Sequence, residues 1–254
     1  MKTSLGALIY CFNSDGVQYH HTANFCIQQI KRNLRIPVTV VTNNHTANMI
    51  LGADQIIRVE NAMGNKRVYK GKQIAWYNLE RAMAYDHSPY DTTILLDADY
   101  FIYTDNLLAY VDSDSDFLLH DRVHDLTNRD SFRYETKSMI PIVWATVTIF
   151  KKTAFASKIF DMIQHIQQHY DYFCNLYRID FRNYRNDYAF AMALHQLNGF
   201  TKQYFMPSAM AMLPMDTQIV KIDQNGLTFK HDKYINLISN QDVHVLDKEI
   251  PFNV

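Results

Sequence analysis

Thr92-Thr93-Ile94-Leu95-Leu96-Asp97-Ala98-Asp99-Tyr100-Phe101 is the stretch around which the chain organises. A run of β-branched and aliphatic residues ends in two carboxylates separated by one alanine. The run is short, apolar and without polar alternation, so it predicts a strand buried on both faces. In open α/β sheets, ligands gather just outside the carboxyl ends of the strands. Two acids there repel each other unless a cation or a shared proton lies between them. A hard divalent cation carrying substrate phosphates meets that need. The plainer alternative is a polar turn in which Asp97 or Asp99 merely caps. The buried run ahead of the pair favours a site.

The bulk properties exclude several classes. With 254 residues the chain is long enough for a sizeable core. A net charge of −1 gives no global signature of nucleic-acid or anionic-membrane binding. Three widely spaced cysteines, Cys11, Cys26 and Cys174, fit neither a disulfide framework nor a zinc site. Their apolar and aromatic neighbours predict buried thiols, and a reducing cytoplasm is the expected setting. No apolar run reaches membrane-spanning length. Seven glycines are few, and neither GxGxxG nor a P-loop is present.

The flanking sequence predicts where the pair sits. Leu5–Phe12 reads as a first buried strand, running into a turn at 13–16. Thr22 is expected to cap a helix whose apolar ladder is Ala23, Ile27, Ile30 and Leu34. Val38–Thr42 and Gln55–Val59 read as strands, with a polar loop at Asn43-Asn44-His45. Residues 60–71 are polar, and Lys72–Asp86 reads as a helix. This alternation predicts a parallel sheet with helices on its faces. After the acids, Thr104 or Asp105 caps a short helix through Val111, and Asp116–His120 is a strand. Residues 121–139 read as a mobile loop over a site. Ile140–Lys151 is β-rich, Thr153 opens an amphipathic helix, and Asp187–Leu197 is a helix ended by Gly199. Beyond residue 200 come short strands, with Asn225-Gly226 at a hairpin turn.

Several strand ends offer partners for the acids. His244 lies in a short late strand and is a candidate third metal ligand, with His120 and His231 competing for the role. Lys248 could neutralise charge on a departing diphosphate. Asn186 or Asp187 at a helix start is either a cap or a group that hydrogen-bonds an incoming hydroxyl. Phe12 and Asn13 end the first strand where a nucleobase could stack. Thr42 and Asn43 end the second on the same edge. Lys66, Arg67, Lys70 and Lys72 form a basic cluster, one of which could meet nucleotide phosphates. Arg178, Arg182 and Arg185 alternate with Tyr177, Phe181 and Tyr184. With Arg122, Arg129, Arg133 and Lys137 they could grip a phosphate backbone.

Ser88-Pro89-Tyr90-Asp91 before Leu95-Leu96-Asp97-Ala98-Asp99, the Val38–Thr42 strand, Trp144–Phe150, Asn186–Ala191 and the late His244 with Lys248 together resemble the GT-A glycosyltransferases. The likeness is to the glycogenin-like and galactosyltransferase-like group called family eight, and it spans most of the chain. It implies a GT-A, Rossmann-like α/β fold: a mixed, mainly parallel sheet flanked by helices, with a smaller C-terminal acceptor-side region. The expected organisation is one domain over 1–254, with a nucleotide-binding half at 1–120 and an acceptor-side half at 121–254. The implied reaction moves a sugar from a nucleotide-diphosphate sugar, a UDP-sugar, through Mn²⁺ or Mg²⁺. Asp97 and Asp99 would contact metal and ribose, His244 would be the third ligand, and Asp187 would lie near sugar and acceptor. Two departures stand out. The family's Gly-Leu/Lys-Pro-Trp ending is absent near His244, and Trp144-Ala145-Thr146 replaces its Asn-x-Gly segment. The chain is also similar in composition to phage-encoded transferases. A hydroxymethylated base in phage DNA is therefore one expected acceptor, beside a glycan or a protein. The alternatives are a haloacid-dehalogenase-like phosphohydrolase using Asp97 and Asp99, and a non-catalytic nucleotide-sugar binding module.

Overall fold

The structure, a computed structural model, describes residues 4–14, 16–60, 62, 64–129, 138, 140–201, 204–248, 250 and 252. Strand β1 (Leu5–Tyr10) leads into helix α1 (Tyr19–Gln29), which ends in one π turn, Ile30–Leu34. The predicted ladder Ala23, Ile27, Ile30 and Leu34 is buried. The helix starts ahead of Thr22, which sits buried inside it. Asn13 explains the early start: its Oδ1 accepts the His20 N–H at 3.0 Å and so satisfies an otherwise orphaned helix donor. Strand β2 (Val38–Thr42), the short helix α2 (Asn44–Ala47) and strand β3 (Gln55–Arg58) follow.

Residues 65–87 depart from the sequence expectation. In place of a helix from Lys72, strands β4 (Asn65–Tyr69) and β5 (Lys72–Trp76) pair antiparallel. Lys70 and Gly71 take positive φ (45° and 78°) in the turn between them. Tyr69 and Ile74 bury against Val17, a non-local partner that no local periodicity discloses. Helix is confined to a 3₁₀ turn, Glu80–Met83, and to α3 (Ala84–His87).

The acidic stretch itself forms as expected. Strand β6 (Thr92–Asp97) is followed at once by the two-residue strand β7 (Tyr100–Phe101). Then come α4 (Leu108–Val111), β8 (Phe117–His120), β9 (Val123–Asp125) and β10 (Trp144–Lys151). Part of the supposed loop 121–139 is thus a strand; residues 130–137 and 139, with Arg133 and Lys137, lie outside the described residues. Six strands form the large sheet in the order β3-β2-β1-β6-β10-β8. The first four are parallel, and β10 is antiparallel to both its neighbours. This is a mixed, mainly parallel sheet flanked by helices. Leu8 and Leu95 face one core, built with α5 (Ala154–Gln168) and α7 (Asn186–Asn198). Ile9 and Leu96 face the other, built with α1. Burial on both sides explains the unbroken apolar run of β6. As predicted, the Thr153 side chain caps α5, and Gly199 ends α7 at φ 59°.

A second sheet completes the site. Strand β11 (Met210–Leu213) lies between β9 and a late strand, 243–245, which in turn pairs with β7. Between them in sequence, β12 (Gln218–Asp223), β13 (Gly226–His231) and β14 (Tyr234–Ile238) form a separate antiparallel meander. The late strand is β15 (Val243–Val245). Its register sets His244 directly across from Tyr100, one residue beyond Asp99.

Candidate metal and nucleotide site

The carboxyl ends of β1 and β6 lie side by side, with Tyr10 in register with Asp97. Above them opens a cavity of about 480 Å³. That volume suits a small-molecule ligand. On its floor, Asp97, Asp99 and His244 bring one ligand atom each within 4.8 Å of one another. His244 Nε2 lies 3.2 Å from Asp99 Oδ1 and 3.9 Å from Asp97 Oδ2. Its Nδ1 meets Thr146 Oγ1 at 3.3 Å. Burial holds the imidazole below its usual pKa, with Asp97 and Asp187 opposing. A neutral imidazole with its second nitrogen held by a hydroxyl suits metal coordination. Two carboxylates and one imidazole could hold a divalent metal ion.

Two cations close the floor. The Lys248 amine contacts Asp99 Oδ2 and lies 3.3 Å from the Val245 carbonyl. Burial, then Arg67, draws its pKa down, and Asp97 resists. The sequence gives no sign of Arg81, which falls in the stretch that reads as a helix over Lys72–Asp86. It is only 4% exposed. Its Nη1 donates to Asp97 Oδ1 at 2.8 Å, while Nη2 donates to the carbonyls of Ala145 and, at 3.2 Å, Thr146. One guanidinium thereby fixes the first acid against the start of β10. Five fixed donors make arginine the side chain for that task.

The walls are aromatic. Phe12 packs on Tyr77 with centroids 5.7 Å apart, and Tyr10, Tyr19, Trp76 and Trp144 also line the cavity. Arg67 lies 5.0 Å from the Trp76 ring centroid and donates to the Tyr19 hydroxyl. On the opposite side stand Phe181, Arg185 and Asp187. Asp187 Oδ1 accepts the Ala145 N–H at 2.9 Å, and Oδ2 accepts from Arg185 at 3.0 Å.

Other expected site residues serve elsewhere. Asn13 binds His20, and its backbone N–H donates to Thr46 Oγ1. The Thr42 hydroxyl donates to the Cys11 carbonyl, and Asn43 caps α2 by accepting from the Thr46 N–H. Lys72 is exposed on β5. None of these four lines the cavity. His120 and His231 do not join the acids: the first bonds the Ser208 carbonyl and the second pairs with Asp232. Lys70 pairs with Asp247, and Arg129 with Asp216. The three cysteines are buried and free.

No protein-family model matches the chain, and no curated protein matches it. Among solved structures, the glycosyltransferase GlyE of Streptococcus pneumoniae TIGR4 is similar over 80% of this chain and 45% of that one, at 12% identity and a TM-score of 0.44. The galactosyltransferase LgtC, solved with donor and acceptor sugar analogs, is similar over 79% of this chain and 72% of that one, at 14% identity and a TM-score of 0.46. Mouse xyloside xylosyltransferase 1 is similar over 80% of this chain and 84% of that one, at 12% identity and a TM-score of 0.48. The chain spans less than half the length of GlyE. Among the described residues, no helix is long and apolar enough to cross a membrane.

Proposed function

We propose that the chain is a metal-dependent glycosyltransferase of the GT-A type, one domain over 1–254, that moves a sugar from a UDP-sugar to an acceptor hydroxyl. One observation carries the reading. Asp97, Asp99, His244 and Lys248 converge at the carboxyl end of β6, on the floor of a cavity walled by aromatic rings. A phosphate-carrying cation site beneath stacking surfaces is what a nucleotide-diphosphate sugar requires.

Asp97, Asp99 and His244 would hold Mn²⁺ or Mg²⁺. When bound, the cation supplies Lewis-acid stabilisation of the charge that develops on the leaving diphosphate. Lys248 and Arg67 direct donors toward the phosphate oxygens. Phe12 and Tyr77 offer a face to the base. Arg81 holds Asp97 in the orientation the site needs. Asp187 fixes the 144–146 segment and lines the cavity; each of its oxygens carries two lone pairs, so it would take the acceptor proton if the enzyme inverts, or orient the substrate if it retains. Phe181 and Arg185 mark the acceptor side.

The acceptor hydroxyl belongs to a glycan, a protein or a hydroxymethylated base in DNA. Duplex binding that falls steeply with salt identifies the last. A phage-encoded enzyme working in the host cytoplasm fits that acceptor.

The test is release of nucleoside diphosphate from a panel of UDP-sugars with Mn²⁺, with and without chelator. Turnover should vanish with chelator and in Asp99→Ala. Turnover unchanged in both overturns the reading. Release of inorganic phosphate instead assigns the phosphohydrolase, and binding without turnover assigns the silent module.

A further inference from the structure

The β12–β13–β14 meander packs one face on the core through Ile219, Ile222, Leu227, Phe229 and Ile238. Its other face is exposed. Ile235 and Leu237 of β14 are 69% and 68% exposed, and Val220 of β12 adds to the same surface. Strand β14 is also an edge: β13 pairs with one side of it, and no described residue pairs with the other.

The register says which backbone groups that open edge presents. Both hairpin turns have two residues, closed by the pairs Asp223–Gly226 and His231–Tyr234. In such a hairpin the closing pair exchanges both backbone hydrogen bonds, and bonded pairs recur at every second residue. Tyr234, Asn236 and Ile238 therefore turn their N–H and C=O groups toward β13. Ile235 and Leu237 turn theirs outward. The two residues with open backbone groups are thus the two with bare aliphatic side chains. Soluble proteins blunt such edges with charge, proline or bulges. Between Tyr234 and Ile238, β14 has no charged residue and no proline.

We propose that β14 pairs antiparallel with β14 of a second copy of this chain, about a two-fold axis through Asn236, merging the two meanders into one six-stranded sheet. In that register Ile235 faces Leu237 of the second copy, and Leu237 faces its Ile235. These are the hydrogen-bonded pairs that the outward backbone groups require. Asn236 faces Asn236, Tyr234 faces Ile238, and Lys233 faces Ser239. No like charges meet. Moving the axis to Ile235 sets Leu237 against Lys233; moving it to Leu237 sets Ile235 against Ser239. Either shift leaves one apolar pair on this face in place of two, so the axis through Asn236 gives the best match; a one-residue slip of the pairing would put side chains of opposite faces together. An anionic bilayer is the poorer occupant, because Asp223 and Asp232 stand among the lysines of this meander.

The test is sedimentation velocity of the full chain over a concentration series. A concentration-dependent dimer is expected. Ile235→Lys with Leu237→Lys should weaken association by about tenfold or more. The milder pair Ile235→Thr with Leu237→Thr, checked by circular dichroism, should weaken it with the fold intact. Asn236→Cys should form a reducible dimer on mild oxidation. Facing Cα atoms in a non-hydrogen-bonded pair lie about 4.5 Å apart, within disulfide reach. Leu51→Cys, exposed elsewhere, should not crosslink. A chain that stays monomeric at every concentration overturns the proposal, whether or not it floats with anionic vesicles. So does a dimer that both double variants leave unchanged, or Asn236→Cys crosslinking no better than Leu51→Cys.

Discussion

Arg81 donates to Asp97 from beneath the cavity floor, at 2.8 Å and almost sealed from water. Because the same guanidinium serves the carbonyls of Ala145 and Thr146, its loss takes a donor from a part-exposed carboxylate and from two buried carbonyls together. Arg81→Met should cost about 1–3 kcal/mol of stability, chiefly from the buried carbonyls, since water reaches Asp97. Arg81→Lys should recover only part, since an ammonium cannot reach three acceptors in a fixed fork. Urea denaturation of the three proteins checks the order.

Thr146 touches no phosphate in this scheme, yet it holds His244 Nδ1. Thr146→Val keeps the shape and removes that partner. Mn²⁺ affinity should fall about 10–100-fold, the range for losing an outer partner of a ligating histidine. Calorimetric titration with Mn²⁺ reads this directly, and the melting temperature without metal should move little by comparison.

His120 gives an acid limb to stability. Its Nδ1–H donates to the Ser208 carbonyl, and its Nε2 is buried without a partner among the described residues. Burial lowers its pKa from 6.5 to about 4. As pH falls below 6.5, the unfolded chain takes up a proton that the folded chain refuses. The histidine's contribution is therefore present above that pH and lost as pH falls toward 4, a change of about 3 kcal/mol. His120→Asn keeps a donor for Ser208 and should flatten this limb between the two pH values in equilibrium denaturation.

Gly6 lies beneath the Tyr90 ring, where an added Cβ would collide with the ring atoms. Tyr90 is itself tied to Thr39 by a hydroxyl bond of 2.8 Å, so it cannot swing away freely. Gly6→Ala should cost about 1–3 kcal/mol. Adding Tyr90→Leu should make the glycine change nearly neutral, a coupling that a double-mutant cycle measures.

These residues divide along a physical line. β6, β2 and α5 were legible because burial on both faces, a β-branched run and a capped amphipathic ladder are local patterns. Asp97 and Asp99 were legible for the same reason: they interrupt such a pattern. His244 was a candidate among three, and only the pairing of β15 with β7 brings it to Asp99. The failures share a cause. Lys72 and Arg81 were assigned to one helix because nothing nearby in sequence announces that Tyr69 and Ile74 pack on Val17. Asn13, Thr42 and Asn43 do end their strands on the expected edge, but backbone groups within reach take up their side chains. A strand end shows where polar residues gather. It does not say which of them the backbone will claim.

The order of synthesis gives the β15 strand a further meaning. All six strands of the large sheet have been translated once Lys151 is made, whereas His244 and Lys248 are made long afterwards. The scaffold is therefore translated well before the third member of the Asp97, Asp99 and His244 group. A backbone cut between β14 and β15 would place every strand of the large sheet on one side of it, and His244 and Lys248 on the other.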